Sequence, residues 1–295
     1  MNGLLIINKE QGMTSHDVVV GVRKILRMRT VGHTGTLDPD ATGVLPVCVG
    51  RATKLSQFFL SSDKEYEATL VFGVRTDTQD STGNVVSEVR ELNFVKKEVE
   101  EAFSKLTGEI EQVPPMVSAV RHKGRRLYEL ARKGEEVERV PRKIQIFKLE
   151  IINCQLPHVR FRVVCSKGTY VRTLCADIGD MLGCGAHQAE LTRVRSGPFR
   201  LSDSVTLKEL RELDNPEEKI IPPDAALSHL PSVKVKDWFG EIMKKNTLIS
   251  SVSIAGLPES LKAGEPVRIN NSRGELLGVG LMESNAEMRV AWIHK

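Results

Sequence analysis

The chain has 295 residues, 40% of them hydrophobic and 27% charged, and its formal net charge is +4. These values are typical of a soluble globular protein with one large domain or two smaller ones. No apolar run reaches the roughly 18 residues of a membrane-spanning helix, and the N-terminus does not resemble a signal peptide. Five scattered cysteines favour neither a disulfide framework nor a zinc site, so we expect a cytoplasmic protein.

The first predicted elements are a buried strand and an amphipathic helix. The strand is the apolar run Leu4-Leu5-Ile6-Ile7. Thr14 and Asp17 then have the spacing of a helix capping box, although Asp replaces the usual Glu. Apolar residues follow at helical intervals, at Val18, Val22, Ile25 and Leu26.

A glycine-rich stretch from Val31 to Gly50 follows this helix. It contains Gly-His-Thr-Gly-Thr-Leu-Asp-Pro-Asp-Ala-Thr-Gly-Val-Leu-Pro and then a short apolar run. Glycines allow a close approach of the backbone to a ligand, and Pro39 restricts the backbone of Asp38. The stretch lacks the Gly-Lys-Ser/Thr ending of a phosphate-binding loop. Asp38 could therefore be a functional carboxylate or could only initiate a turn.

The middle of the chain alternates strands, helices and a charged segment. Apolar residues at every second position predict a strand over 64–73, with Tyr66 near its start. The stretch 75–83 does not match a calcium loop, because threonine stands where the turn glycine is required, and it is interpreted as a polar hairpin loop. An amphipathic helix is predicted over 95–106. Residues 121–143 then contain nine Lys or Arg and only four Glu, which suits a phosphate-contacting element or a solvated helix face.

The last third of the chain predicts a change of architecture. Two strands over 144–165 lead to a helix that starts at Gly168 and Thr169 and carries Arg172 near its N-terminus. A proline-rich stretch over 221–231 then marks a domain boundary. Short strands are predicted within 233–235, 267–269, 276–282 and 288–293, with one helix near 237–245, as expected for a small β-barrel. We expect one domain over 1–230 and a second over 231–295.

Several of these motifs resemble, in the same order, those of the TruB family of tRNA pseudouridine synthases. They are the glycine-rich stretch, Lys-x-Tyr, Thr-Asp-Thr-x-Asp-x-x-Gly, Val-Pro-Pro-x-x-Ser-Ala, Gly-Thr-Tyr-Val-Arg and a third motif containing Leu191. The resemblance implies that Asp38 is catalytic, that Tyr66 stacks on the target base, and that Arg172 pairs with Asp38. It assigns substrate binding to a further set of residues, namely Lys9, His33, Arg125, Arg126, Tyr170 and Leu191. Glu10 departs from the family pattern, which has proline after the lysine.

The resemblance also implies a fold and a reaction. The fold is α+β, with a mixed, mainly antiparallel central sheet flanked by helices, a basic thumb insertion at about 118–143, and a C-terminal PUA-like barrel. The reaction is the isomerisation of the T-loop uridine conventionally numbered 55, by base flipping, without a cofactor or a metal. The expected partner is the T stem-loop of tRNA, with no membrane and no obligate protein partner, and the chain is expected to be a monomer. A non-catalytic tRNA-folding protein and a guide-RNA-dependent synthase are the alternatives.

Overall fold

The computed structural model describes residues 1–236, 238–239, 243, 247–250, 254–255, 261–284 and 287–294. The strands with described bounds are β1 (Gly3–Lys9), β2 (Val31–His33), β3 (Thr42–Val49), β4 (Lys64–Phe72), β5 (Val74–Thr76), β6 (Val85–Glu88), β7 (Gly108–Gln112), β8 (Arg121–His122), β9 (Arg125–Arg126), β10 (Arg142–Gln155), β11 (His158–Cys165), β12 (Ala186–Ser196), β13 (Phe199–Arg200), β14 (Ser232–Val235), β15 (Leu248–Ser250), β16 (Ile254–Ala255), β17 (Pro266–Asn270), β18 (Leu276–Ser284) and β19 (Glu287–Ile293). The α-helices with described bounds are α1 (Ser15–Leu26), α2 (Ser56–Leu60), α3 (Lys96–Lys105), α4 (Leu127–Ala131), α5 (Val171–Met181), α6 (Leu207–Glu212) and α7 (Pro223–Ala226).

Nine described strands from residues 3–200 form a central sheet. Its order is β1-β3-β12-β4-β11-β10-β7, with β2 beside β3 and β13 beside β12. Among the described strands of this sheet, only β3 and β12 pair in parallel. Helices α1, α3 and α5 pack their apolar residues against one face of the sheet. The predicted mixed, mainly antiparallel sheet flanked by helices is confirmed.

Strand β1 is covered on both faces, which explains its unbroken apolar sequence. Leu5 and Ile7 lie in the core beneath the helices. Leu4 and Ile6 point the other way, into a second apolar cluster that includes Leu276, Val279 and Trp292 of the C-terminal strands. A strand buried on both faces needs no polar alternation. The C-terminal strands therefore pack against this edge of the central sheet.

Helix α1 begins as its sequence predicts. The Thr14 side chain accepts a hydrogen bond from the Asp17 backbone N–H at 3.1 Å, and the Asp17 carboxylate accepts one from the Thr14 N–H at 2.9 Å. This reciprocal capping box satisfies backbone donors that would otherwise lack partners at the helix start. The acceptor role of the carboxylate explains why Asp serves in place of Glu here.

One local prediction was wrong in detail. Helix α5 begins at Val171, because Gly168 adopts a positive φ of 82° and Tyr170 is the extended N-cap residue. The basic segment begins as a hairpin of β8 and β9, with Lys123 and Gly124 at its turn, and continues as the short helix α4. Both turn residues have positive φ, as a type I′ hairpin turn requires.

The C-terminal strands form a second sheet. Its described strands follow the order β15-β19-β18-β17-β14-β16. The strands predicted within 233–235, 267–269, 276–282 and 288–293 are confirmed as β14, β17, β18 and β19. The helix predicted near 237–245 lies outside the described residues. In the part of the chain that the structure describes, we find no helix that combines the length and the apolar character needed to cross a membrane.

Gly43 provides a test of the central sheet, because it is the point where β3 meets β12. Its φ is +100°, and a Cβ there would overlap the carbonyl oxygen of Arg193. We expect Gly43→Ala to lower the free energy of unfolding by about 1–3 kcal/mol more than Gly183→Ala does, since overpacking adds to backbone strain. Gly183 is the matched control, because it also has a positive φ but has open space around it. Urea unfolding of both variants measures the difference, and equal losses would contradict this account.

Candidate active site

The candidate site lies over one row of paired residues that crosses four neighbouring strands of the central sheet. In the strand register, Lys9 of β1 lies opposite Gly43 of β3, Gly43 opposite Arg193 of β12, and Arg193 opposite Tyr66 of β4. Two cations thus flank a glycine at the start of strand β3, just after the aspartate loop, which we define as residues 34–41. Both are almost fully buried, Lys9 at 0% and Arg193 at 1% exposure. A charged side chain is tolerated in such a place only when its donors are well paired.

The donors of both cations are paired with backbone carbonyls at and beside the aspartate loop. The Lys9 ammonium donates to the carbonyls of Pro39 at 2.8 Å, Met13 at 2.7 Å and Glu10 at 3.0 Å. The Arg193 guanidinium donates to the carbonyls of Val44 at 2.7 Å, Gly35 at 3.2 Å and Thr36 at 3.5 Å.

The buried Ser15 hydroxyl adds a third attachment to the loop. It accepts a hydrogen bond from the Leu37 N–H at 2.9 Å and donates one to the Leu37 carbonyl at 3.1 Å. The backbone on both sides of Asp38 is therefore fixed by side chains from three other elements.

Arg172 joins the loop to two further parts of the chain. Its Nη2 lies 3.1 Å from the Asp38 Oδ2, and its Nη1 lies 3.2 Å from the Asp80 Oδ2. Nη2 also donates to the Val117 carbonyl at 2.7 Å. The Arg172 side chain is only 4% exposed, whereas that of Asp38 is 40% exposed. Asp38 can therefore meet a substrate while a buried arginine fixes its carboxylate.

The electrostatics of Asp38 favour a reactive carboxylate. Burial in the cleft raises its pKa above the usual value, Arg172 opposes that rise, and Asp80 adds to it. A carboxylate with a raised pKa is a stronger base than a free one, and it loses its charge at a higher pH when the solution is acidified. Arg172 supplies the opposing charge that the resemblance implied, but burial is the larger influence.

Tyr66 is placed to pack against a base rather than to act as an anion. It lies on β4 beside Arg193 and is 9% exposed. Burial raises the pKa of its phenol, and the Arg193 guanidinium opposes the rise. The phenol is therefore neutral at physiological pH, so the ring can stack and the hydroxyl can donate a hydrogen bond.

A cleft with a volume of about 240 Å³ opens above these groups. Asp38, Tyr66 and Arg172 line it together with Tyr170 and Leu191. Pockets for whole drug-sized ligands measure roughly 300–1,000 Å³, so this cleft suits one planar base with part of its sugar. The structure thus brings five of the residues singled out from the sequence to one place.

The other residues singled out from the sequence lie outside the lining of this cleft. His33 ends β2, and its Nδ1 accepts a hydrogen bond from the Gly35 N–H at 3.3 Å. Burial and the Arg193 charge lower the His33 pKa, which favours the neutral imidazole. Arg125 and Arg126 are exposed on β9.

Lys9 has a different place from the one that the resemblance implied. Its ammonium is used within the protein, where it holds the aspartate loop, instead of facing a substrate. Burial lowers its pKa to about 8.

Two residues of the site were missed by sequence reasoning. Asp80 was interpreted as part of a polar loop, but three hydrogen bonds fix its Oδ1, from the hydroxyls of Thr78 and Thr82 at 2.6 Å each and from the Thr82 N–H at 3.1 Å. These contacts leave Oδ2 for Arg172. Arg193 was missed because the sequence around it, with Arg195 two residues later, gives no local sign that it is buried.

Comparisons with known proteins identify the family. The family model described as "TruB family pseudouridylate synthase (N terminal domain)" matches residues 23–171. The one described as "tRNA pseudouridylate synthase B C-terminal domain" matches residues 172–228. The chain belongs to the TruB family of pseudouridylate synthases. The chemistry expected of Asp38 and its neighbours is therefore that of a TruB-type site.

Relatives and solved structures agree with this membership. The chain is 45% identical over 285 residues to a protein of Alkaliphilus oremlandii named tRNA pseudouridine synthase B, covering 96% of this chain and 94% of that one. A Clostridium kluyveri protein of the same name is 47% identical over 284 residues, covering 95% and 96% of the two chains.

Among solved structures, a chain of a Cbf5-Nop10-Gar1 complex superposes with a TM-score of 0.78 at 30% identity, over 99% of this chain and 84% of that one. A chain of an H/ACA RNP bound to a substrate RNA containing 2'-deoxyuridine gives a TM-score of 0.76 at 28% identity, over 99% and 85%. This agreement extends the resemblance from motifs to the whole fold.

Asp80→Asn tests whether the second carboxylate positions Arg172. We expect pseudouridine formation to fall about 100-fold, as small displacements of catalytic groups do. Loss of the Asp80 charge lowers the Asp38 pKa, so the remaining activity should persist to a lower pH before Asp38 becomes protonated. A pH–rate profile under single-turnover conditions measures both effects.

The control for this experiment is Asp77→Asn in the same loop, whose carboxylate accepts hydrogen bonds only from Asn84 among the contacts described. We expect it to leave the rate and the profile unchanged. A rate near that of the unaltered protein for Asp80→Asn, or a shift of the acid limb to higher pH, would contradict the role given to Asp80.

Proposed function

We propose that this chain converts the T-loop uridine of tRNA conventionally numbered 55 to pseudouridine. The observation that carries the proposal is the partly exposed Asp38 carboxylate, paired with a buried Arg172 in a cleft sized for one base. Its support from comparison is the 43–51% identity to proteins named tRNA pseudouridine synthase B.

The reaction needs one bond broken and one formed at the same sugar carbon. The bond from C1' to N1 of the uracil breaks, the base turns, and a bond from C1' to C5 forms. The proton on C5 then leaves, and N1 gains a proton, so no atom is gained or lost overall. Asp38 acts as the nucleophile or removes a ribose proton, and either role requires its ionised form. Arg172 holds that ionised carboxylate in one orientation.

The detached uracil has to turn without leaving, and the cleft walls suit that task. Tyr66 is a buried, neutral aromatic ring, and Tyr170 and Leu191 add apolar surface. An enclosed, dry pocket retains the base and excludes competing water. His33 lies beside this pocket, where it can occupy the space that the flipped base leaves in the RNA.

RNA has to approach through a positive field, and the chain supplies one. Lys64, Lys167, Arg172 and Arg193 all line the cleft. The exposed Arg125 and Arg126 extend the positive charge onto the hairpin between β8 and β9. We assign residues 1–230 to catalysis, with the thumb at about 118–143, and residues 231–295 to PUA-like RNA binding. Base flipping takes a few kcal/mol, which contacts of this kind can offset.

The proposed enzyme works alone, as a cytoplasmic monomer without a cofactor. All five cysteines are free thiols, as suits a reducing compartment. The alternatives are a guide-RNA-dependent synthase, as the H/ACA neighbour suggests, and a tRNA-folding protein without catalysis. The basic segment favours direct tRNA binding, and the Asp38–Arg172 pair favours catalysis. Incubation of the purified chain with unmodified tRNA alone, followed by mapping of pseudouridine, distinguishes the proposed function from both alternatives, since neither of them forms pseudouridine under these conditions.

Asp38→Asn tests the catalytic assignment. The amide keeps the shape of the side chain but is neither a nucleophile nor a base, so we expect no detectable pseudouridine. We expect binding of tRNA to remain within about tenfold, since most affinity comes from phosphate contacts elsewhere. Turnover near the rate of the unaltered protein would refute the assignment.

A double change, Arg125→Ala with Arg126→Ala, tests the basic hairpin. Removal of phosphate contacts should weaken tRNA binding and flatten the dependence of the logarithm of the affinity on the logarithm of salt concentration, by roughly 0.7–0.9 for each phosphate that is no longer neutralised. Titrations between about 50 and 200 mM salt measure that slope. Lys208→Ala with Arg211→Ala on α6 is the control, because it removes the same charge from exposed positions outside the insertion. The same flattening in both double variants would show a general charge effect only.

A further inference from the structure

Ser118 is a cleft residue with an unused hydroxyl. It lies in the connection between β7 and β10, residues 113–141, which overlaps the proposed thumb at about 118–143 and which we call the insertion from here on. Ser118 is 5% exposed. Its backbone is fully engaged, since its N–H donates to the Met116 carbonyl and its carbonyl accepts from the Tyr128 N–H, both at 3.0 Å. Ser118 lines the cleft, but its side-chain oxygen has no hydrogen-bond partner.

Such groups are rare among the described residues, and half of them belong to residues of the cleft. Among the described residues, four buried side-chain atoms have no partner, namely Arg23 Nε, Ser118 Oγ, Arg172 Nε and Asn270 Oδ1. Two of these four belong to residues that line the cleft. A buried hydroxyl without a partner destabilises the folded chain, so its presence needs an explanation. A ligand that completes the hydrogen bond is the explanation that also accounts for its position.

The neighbouring residue ties Ser118 to the catalytic pair. The Val117 carbonyl accepts from the same Arg172 nitrogen that contacts Asp38. The Ser118 hydroxyl is therefore next in sequence to Val117, whose carbonyl contacts Arg172, the partner of Asp38. A nucleotide in this cleft offers suitable groups, which are the carbonyl oxygens and N3–H of the uracil and the 2'-hydroxyl of the ribose.

We propose that the Ser118 hydroxyl hydrogen-bonds the target nucleotide, which makes Ser118 a substrate-binding residue contributed by the insertion. This inference rests on the proposed function. It assigns the insertion a second task besides phosphate contact, because its first turn completes the wall of the base pocket. The partner of the Ser118 hydroxyl is a polar group of the uridine nucleotide, either on the base or on the sugar.

Ser118→Ala separates a ligand contact from a structural one. The change removes an unpaired buried hydroxyl, so the melting temperature of the free protein should stay the same or rise. Loss of one hydrogen bond to the substrate should weaken RNA binding about tenfold or slow the single-turnover rate about tenfold. Ser118→Thr keeps the hydroxyl and should restore part of this loss. Ser104→Ala, whose exposed hydroxyl donates to the Glu101 carbonyl on α3, is the control and should change neither binding nor rate.

Altered RNAs identify the source of the contact. T-loop minihelices carrying uridine, 2'-deoxyuridine or an abasic ribose at the target position are titrated with two proteins, the Asp38→Asn variant and the same variant with Ser118→Ala added. If the deficit caused by Ser118→Ala disappears with 2'-deoxyuridine, the ribose is the partner, and if it disappears with the abasic ribose, the base is the partner. A deficit that persists with both RNAs, or one accompanied by a lower melting temperature, would overturn the proposal.

The proposed function is tested separately in the same series. Pseudouridine formation by the unaltered protein establishes that function whatever Ser118→Ala does. An active unaltered protein with a Ser118→Ala variant equal to it in both binding and rate would refute only the role of Ser118. An inactive unaltered protein would refute the proposed function itself.

Discussion

The rest of the site depends on how two buried cations hold the backbone of the aspartate loop. Lys9 and Arg193 stand on either side of Gly43 in one row of the sheet, and their donors end on backbone carbonyls at and beside the loop. Removing a charge from water is unfavourable, and removing one hydrogen-bonding partner from such a set leaves the others unsatisfied. The loop therefore has one well-defined position, as the role proposed for Asp38 at a single sugar carbon requires.

Glycine at position 43 is a condition for this arrangement. Its position between β1 and β12, with a positive φ, lets the Arg193 backbone approach where a side chain would collide. The glycines of the stretch therefore serve the protein's own packing as much as the approach of RNA. A loop whose composition suggested a ligand cradle is fixed from beneath by the sheet, while the Asp38 side chain remains 40% exposed.

Sequence reasoning succeeded where the signal was local and failed where it was not. The Thr14–Asp17 cap, the alternation of β4 and the C-terminal strands follow from neighbouring residues alone. The resemblance to a known family singled out Asp38 and Arg172, which lie 134 positions apart yet 3.1 Å from each other in space. Asp80, Arg193 and the buried state of Lys9 depend on strand order and register, which no single sequence states. A lysine next to a turn is usually solvated. Lys9 is buried because the neighbouring strand and the aspartate loop cover its side chain.

The insertion is connected to the candidate site through its N-terminal end. At its start, the Gln112 amide pairs with the backbone of Tyr170, accepting from its N–H at 2.8 Å and donating to its carbonyl at 3.1 Å. Five residues later the Val117 carbonyl shares an Arg172 nitrogen with Asp38.

The segment between β7 and β10 thus has its first residues fastened to the N-terminus of α5 and to Arg172. The Arg172 guanidinium contacts both the Val117 carbonyl and the Asp38 carboxylate. The position of the insertion and the position of the aspartate loop therefore depend on the same buried group, because a shift of either one changes the hydrogen bonds available to Arg172.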